Sequence, residues 1–382
     1  MRVTFLSFSP PYVGEDDIDE VVAALRSGWI SRGPRTAKFE AVFRTRVGAS
    51  AALGLNSCTA GLHLALRVLD VGPGDEVIVP TMTFCASVNV IEHVGARPVL
   101  VDVEPETLNI DPAAVEAAIT ERARAIVVVH YGGHPAEMDA LSSLAEQHGI
   151  QLIEDAAHSL PASYRGVKVG ARDNLTAFSF YATKNLTTGE GGMLTGPPAL
   201  VERARVMSLH GMLGSAWNRY SQKDGWYYEV VEPGYKYNMT DIQAAMGLRQ
   251  LEKLDQMQSR RREVVSLYRQ LLGDIGAIKL PCQKSHVESA WHLFPIRVRA
   301  SELAMDRGGF IDAMTERNIG TSVHFIPVHM HPFYAAKYGY RRGDFPVAED
   351  AYDELVSLPL HPGLSDADVA DVAEAVRDIC TL

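Results

Sequence analysis

Short apolar runs rich in β-branched residues recur along the first half of the chain, at Glu76–Pro80, Pro98–Asp102, Ala125–Val129, Gln151–Glu154 and Leu175–Phe180. Their length and composition predict buried strands. Between them the apolar positions recur at helical spacing. Ala114, Val115 and Ala118 share one face of Asp111–Ile119, and Leu141, Leu144 and Ala145 share one face of Met138–His148. Alternation of this kind predicts βαβ units and a largely parallel sheet covered on both sides. The turn chemistry agrees, with Gly72-Pro73-Gly74-Asp75 and His148-Gly149 each placed just before a strand.

After about residue 240 the texture changes. Thr240 to Leu272 is a long helical pattern broken only by Gly247, followed by a strand pattern at His292–Val298 and helices at Gly309–Asn318 and Asp366–Arg377. The division expected is a large domain over 1–250 and a smaller C-terminal α/β domain over 251–382. No internal repeat is present.

Composition narrows the class. Among 382 residues, 36 basic against 47 acidic side chains give a formal charge of −11, which argues against a nucleic-acid binder and leaves room for a small anionic ligand. Cys58, Cys85, Cys282 and Cys380 form no C-x-x-C pair, so free thiols in a reducing compartment are expected. The acidic start, Glu15 to Glu20, does not read as an export signal, and no apolar stretch approaches a membrane span. The expected location is cytoplasmic.

Candidate chemistry sits at strand ends, where open α/β sheets bind ligands. Gln151-Leu152-Ile153-Glu154-Asp155-Ala156-Ala157-His158 runs a buried strand into two acids and a histidine. Asp155 reads equally as a helix cap or as a carboxylate awaiting a cationic partner. A lysine, Lys184, follows the aromatic strand Ala177–Phe180 and precedes Gly189, Gly191 and Gly192. Read alone it is either a solvent-exposed turn lysine, the commoner case, or, if desolvated, a Schiff-base nucleophile, and the glycines would let backbone approach a flat ligand. In Leu55-Asn56-Ser57-Cys58-Thr59-Ala60, a strand passes through hydroxyl residues into a helix, an N-cap or an anion cradle without the lysine of a P-loop. Phosphate cradle, carboxylate and lysine together are the parts that pyridoxal phosphate (PLP) requires.

These two segments, Glu154 to His158 and Ser179-Phe180-Tyr181-Ala182-Thr183-Lys184-Asn185-Leu186-Thr187-Thr188-Gly189-Glu190-Gly191-Gly192, resemble the DegT/DnrJ/EryC1/StrS family of PLP-dependent nucleotide-sugar aminotransferases. The resemblance extends from Gly28-Trp29-Ile30-Ser31-Arg32-Gly33-Pro34 through Pro80–Phe84 to Thr321–His329. It implies the PLP-dependent transferase fold type I, aspartate aminotransferase-like, with a three-layer α/β large domain and a smaller C-terminal one. By position, Lys184 would join the cofactor and shuttle protons, Asp155 would pair with the pyridinium, and His158 would contact the ring or its 3-hydroxyl. Phe84 would stack on the ring, with Cys58, Thr59 and Ser179 at the phosphate. Cys58 stands where the family commonly has Gly, which a backbone N–H contact tolerates if φ is negative.

Further roles follow from the same resemblance. Lys236 or Asn238 would reach the cofactor phosphate across a homodimer with composite sites. Trp29, Ser31, Arg32, His324 and His329 would face the substrate. A lysine at 184, where a dehydratase branch has His, favours amine transfer. The implied reaction converts a nucleotide-linked, dTDP-type 4-keto-6-deoxy sugar to its 4-amino product with L-glutamate as donor and 2-oxoglutarate as product, for an antibiotic or a surface polysaccharide. Within the family, the segments Lys236-Tyr237-Asn238-Met239-Thr240-Asp241 and Ser322-Val323-His324-Phe325-Ile326-Pro327 look most like those of C4-aminating members. C3 amination, a PLP-fold regulator without turnover and a cofactor-free sugar-nucleotide binder are the alternatives. His324, His329 and His331 space like metal ligands, but nothing nearby in sequence completes a set, so no metal is expected. Arg260, Arg261 and Arg262 read as a solvated helix face.

Overall fold

The computed structural model describes residues 2–213 and 228–381. A seven-stranded sheet is built from β1 (Ala51–Leu55), β2 (Glu76–Pro80), β3 (Arg97–Val101), β4 (Ala123–Val129), β5 (Gln151–Asp155), β6 (Leu175–Ser179) and β7 (Gly192–Gly196). Their order is β1-β7-β6-β5-β4-β2-β3. Only β7 runs against the rest, antiparallel to β1 and β6. All five strands expected from the apolar runs are present, within one or two residues of their expected ends.

Period-two alternation sends successive side chains to opposite faces of the sheet. Val77, Val79, Ile153, Ala177 and Leu194 pack with α3 (Cys58–Val68), α4 (Ala86–His93) and α7 (Pro198–Met207). Ile78, Ile126, Val128 and Leu152 face the other way, onto α5 (Pro112–Ala118) and α6 (Met138–His148). On that same far side Phe178 and Met193 meet Phe39 and Phe43 of α2 (Pro34–Val47) and the start of a long helix, Asp241–Leu272. The result is a three-layer α/β arrangement with a mostly parallel sheet.

The long helix starts where its sequence directs. The Thr240 hydroxyl accepts from Gln243 N–H while Gln243 Oε1 accepts from Thr240 N–H, a capping box. Asp241, fully buried, accepts from Gly33, Arg35 and Thr36 N–H and from the Thr36 hydroxyl, so it caps α2. The helix continues unbroken through residue 250. Its first half packs on the seven-stranded sheet, and Val264, Val265, Tyr268 and Leu272 enter a second core. That core lies against an antiparallel three-stranded sheet of Ile278–Lys279, Phe294–Val298 and Leu355–Leu358, with helices Arg307–Glu316 and Asp366–Cys380. The strand expected from His292 starts two residues later, because His292 and Leu293 N–H donate instead to Gly132 C=O.

One expectation on the long helix fails. Arg261 is buried, 3% exposed, with Nη1 donating to Leu360 and Trp291 C=O, while Arg260 pairs with Glu263 and Asp366. Only Arg262 of the three is exposed to solvent as expected for a polar face. Among the described residues, no helix is long and apolar enough to cross a membrane.

Candidate active site

Asp155 and Glu154 are neighbours in sequence and strangers in space. Asp155 ends β5 two residues past Ile153, and so shares the face covered by α3 and α4. Its Oδ2 accepts from the Ser87 hydroxyl of α4 at 2.7 Å, and Oδ1 from Ala157 N–H at 3.1 Å. The Cys58 thiol of α3 lies 3.8 Å from Oδ1 and 3.4 Å from Ala177 C=O. Glu154 turns to the opposite face, where it accepts from His130 Nε2 at 2.9 Å and Asn174 Nδ2 at 3.0 Å.

Asp155 and Lys184 meet at a cavity of about 520 Å³. Its wall contains Cys58, Thr59, Phe84, Asp155, His158, Ser179, Lys184 and His324, all candidates from the sequence. It also includes Ser57, Tyr181, His292 and Phe325, which no sequence motif marks as cavity residues. The wall draws on the C-terminal ends of β5 and β6, the starts of α3 and α4, and the 324–325 segment.

The Lys184 amine sits in a desolvated place. Burial pushes its pKa down to about 8, only partly opposed by the Asp155 carboxylate. A larger fraction is therefore free amine at neutral pH than for an ordinary lysine, which suits a nucleophile. Burial also holds His158 and His292 well below the ordinary histidine range, with Lys184 adding to the effect. His324 is pushed down to about 4 by the same causes. These three imidazoles are neutral at physiological pH, so they act as hydrogen-bonding groups of fixed polarity.

Stacking and main-chain contacts set the ring planes. His158 stacks on Phe325 with centroids 5.7 Å apart and planes 20° from parallel. Phe84, 59% exposed, lies 5.9 Å from Phe325 and lines the cavity. His324 is stacked on Phe8 from the chain's start, its Nδ1 is 2.9 Å from the Ser357 hydroxyl, and its carbonyl accepts from Tyr131 OH.

At the phosphate end, Ser57 is the N-cap of α3 and accepts from Ala60 N–H at 3.1 Å. Cys58 is the first helical residue and does not have a positive φ, which meets the condition under which Cys can replace Gly. With Ala60 N–H engaged by Ser57, the Cys58 and Thr59 N–H groups of this first turn are the ones available to an anion. Gly192 has a different use from the one expected. A Cβ there would lie 2.4 Å from Ser57 C and 2.6 Å from Cys58 N, so glycine lets β7 pass against the helix start rather than against a ligand.

Other candidates lie elsewhere. His329 is a correction: it is fully buried, with Nδ1 2.7 Å from the Thr81 hydroxyl and Nε2 3.1 Å from Glu349. Both ring nitrogens are occupied by protein, so it has none left for a substrate. Trp29, Ser31 and Arg32 do not line the cavity of their own chain, and Arg32 Nη2 lies 3.8 Å from Glu40. Lys236 is exposed and Asn238 buried, both outside the cavity wall. Their segment runs beside the cradle, since Asn56 N–H donates to Tyr237 C=O and Leu55 bridges Asn238.

A family model described as the DegT/DnrJ/EryC1/StrS aminotransferase family matches residues 11–377. The chain belongs to this family. It is 50% identical to the spore coat polysaccharide biosynthesis protein SpsC of Bacillus subtilis over 380 residues, 99% of this chain and 98% of that one. Spr1654 from Streptococcus pneumoniae, in its PMP-form, superimposes with a TM-score of 0.92 at 36% identity, covering 98% and 99% of the two chains. The sugar aminotransferase CalS13 from Micromonospora echinospora gives 0.87 at 31%, covering 97% and 99%. The enzyme is a PLP-dependent sugar aminotransferase of fold type I. The regulator and cofactor-free alternatives fall with that result. The cavity fits the cofactor: a depressed-pKa amine, a carboxylate held by Ser87, an exposed aromatic ring and a free helix start converge on one space.

Proposed function

We propose that the enzyme aminates C4 of a dTDP-linked 4-keto-6-deoxy sugar, taking nitrogen from L-glutamate and releasing 2-oxoglutarate. The observation that carries the reading is the placement of His324 and Phe325, from the Ser-Val-His-Phe-Ile-Pro segment that resembles C4-aminating members, in the cavity wall with Lys184. PLP, when bound, supplies the electron sink and carries the amino group between donor and acceptor. Lys184 Nζ takes a proton from the donor carbon and returns one to the sugar carbon. The Asp155 carboxylate would pair with the pyridinium nitrogen of the cofactor. His158 would contact the cofactor ring or its 3-hydroxyl, Phe84 would stack on the ring, and the Ser57–Thr59 turn with Ser179 would hold its phosphate. His324 faces the sugar.

Two further elements complete the proposal. The working unit is a homodimer in the cytoplasm, in which Lys236 or Asn238 reaches the phosphate of the neighbouring site and Trp29, Ser31 and Arg32 border its substrate. The product supplies an amino sugar to a surface polysaccharide or a glycosylated natural product. The likeness to SpsC supports the polysaccharide. Incubation with PLP, glutamate and dTDP-4-keto-6-deoxyglucose, followed by NMR of the product, locates the nitrogen. A 4-amino sugar is expected, whereas amination at C3, or only with a 3-keto substrate, overturns the regiochemistry.

A further inference from the structure

His292 entered none of the roles above, yet it lines the cavity and its ring lies 4.4 Å from that of His158. Its partner is Asn185, the residue directly after Lys184. Asn185 Nδ2 donates to Leu160 C=O at 3.0 Å and to Ala290 C=O at 2.8 Å. With both amide hydrogens engaged, Oδ1 is an acceptor, so the 3.1 Å contact to His292 Nδ1 has the histidine donating. His292 is then the Nδ1–H tautomer, with Nε2 a lone-pair acceptor. His158 is the opposite case: its Nδ1 accepts from Gly132 N–H at 3.3 Å, which leaves the proton on Nε2.

One turn holds both histidines. Gly132 C=O accepts from His292 N–H, and Gly133 C=O accepts from Ala290 N–H. Gly133 has φ +97°, and a Cβ there would lie 2.8 Å from His158 O and 3.0 Å from His292 N. Asn185 thus bonds the loop carrying Lys184 to the segments that follow His158 and precede His292. The single long hydrogen bond on His158 does little to fix a χ2 angle that is soft by nature.

We propose that Asn185 and His292 form a positioning pair, which fixes the His158 ring and sets it relative to Lys184. The inference rests on the reading of His158 as a contact of the cofactor ring. A displacement of a reacting group by about 1 Å costs on the order of a hundredfold in rate.

Side-chain geometry supplies the test. In His292→Asn the amide nitrogen replaces Nδ1 and keeps the bond to Asn185, in His292→Gln it replaces Nε2 and loses that bond, and in His292→Phe only the ring remains. Histidine 15N shifts of the cofactor-free protein are expected to show His158 as Nε2–H and His292 as Nδ1–H, with the His158 signal averaging between tautomers in His292→Phe. In PLP-loaded enzyme, His292→Phe and His292→Gln are expected to shift the pH midpoint of the visible absorption and to lower kcat about ten- to a hundredfold. The KM for glutamate should stay unchanged, and His292→Asn should retain kcat within about threefold. Opposite tautomers in the wild type overturn the pair even if every variant misfolds. Wild-type behaviour of His292→Phe reduces His292 to packing, and a better Gln than Asn variant makes Nε2 a direct ligand contact; either overturns the proposal. Averaged His158 shifts with an unmoved absorption midpoint overturn its link to the cofactor. A wild type that never takes up PLP is instead a failure of the parent reading.

Discussion

Two sets of buried ionisable groups lie within a few residues of each other in sequence and behave as different materials. In the closed set, Glu154 meets His130 and Asn174, and His329 meets Thr81 and Glu349, so that each ring nitrogen and each carboxylate oxygen named here has a partner inside the protein. In the open set, Asp155, His158, His292 and His324 each have a protein partner on one side and the cavity on the other, and Lys184 lines the same cavity. Residue type and burial do not separate the sets: Asp155, His158 and His292 are as buried as Glu154 and His329, and only Lys184 and His324 are half-buried. What separates them is whether the protein has used every hydrogen-bonding position. A closed group contributes to stability, and an open one is available for chemistry.

The sharpest way to break this contrast is to neutralise the two adjacent acids separately. Asp155→Asn keeps an acceptor for Ala157 N–H, and the Ser87 hydroxyl can reverse to accept from the new amide, so the fold should hold. The lost charge should lower transamination by about 10²–10³-fold with little change in Tm. Glu154→Gln should do the reverse. His130 Nδ1 already accepts from Ala136 N–H, so Nε2 must donate, and Asn174 donates to the other oxygen. A glutamine there faces two donors with one acceptor, at a cost of about 1–3 kcal/mol in stability, while the folded enzyme keeps its kcat. Turnover measured alongside thermal unfolding checks both. Equal losses of activity would mean that the closed acid also serves the chemistry.

The same contrast explains what could be read from sequence. The five strands and the long helix were legible because β-branched runs and helical periodicity are local signals. Strand β7 was not, since Gly-Met-Leu-Thr-Gly carries too few apolar residues to register and its place between β1 and β6 is a property of the sheet. Lys184 and Asp155 were recognisable from their flanking motifs. His329 and His324 were indistinguishable, because both lie in one Pro-containing stretch and only tertiary structure brings Glu349 to the first and the cavity to the second. His292 looked like the first residue of a strand, and no local feature marks its bond to Asn185, 107 positions away.

That pair of histidines offers the next test, with a smaller effect. His329→Leu removes the imidazole between Thr81 and Glu349, leaving Glu349 only the Gly343 and Phe345 N–H donors, and should cost about 1–3 kcal/mol in stability. The kinetic constants of the folded enzyme should not change. His324→Asn keeps a group at the Nδ1 position for Ser357 and removes Nε2 from the cavity. It should raise the KM for the sugar nucleotide about tenfold, the effect of one lost hydrogen bond of ordinary strength, and leave Tm unaltered. A KM effect from His329, or none from His324, would reverse their assignments.

The smallest effect is expected at Cys58, the one cofactor-side position that departs from the family's common glycine. Its thiol points into the protein, toward Ala177 C=O and Asp155, and burial raises its pKa well above the ordinary value. It therefore remains a neutral thiol at working pH and is neither a nucleophile nor a ligand for an anion. What position 58 offers a phosphate is its main-chain N–H in the first turn of α3, which any residue with helical φ supplies. Cys58→Ala should accordingly bind PLP and turn over within about twofold of wild type, because the thiol is at most a weak hydrogen-bond donor. Cys58→Asp tests the opposite limit: a second carboxylate beside Asp155 and in the phosphate turn should repel the ligand and raise the Kd for PLP at least about tenfold. Fluorescence titration with PLP distinguishes the two outcomes. A large loss in the alanine variant would place Cys58 among the open groups, with its sulfur rather than its backbone meeting the cofactor.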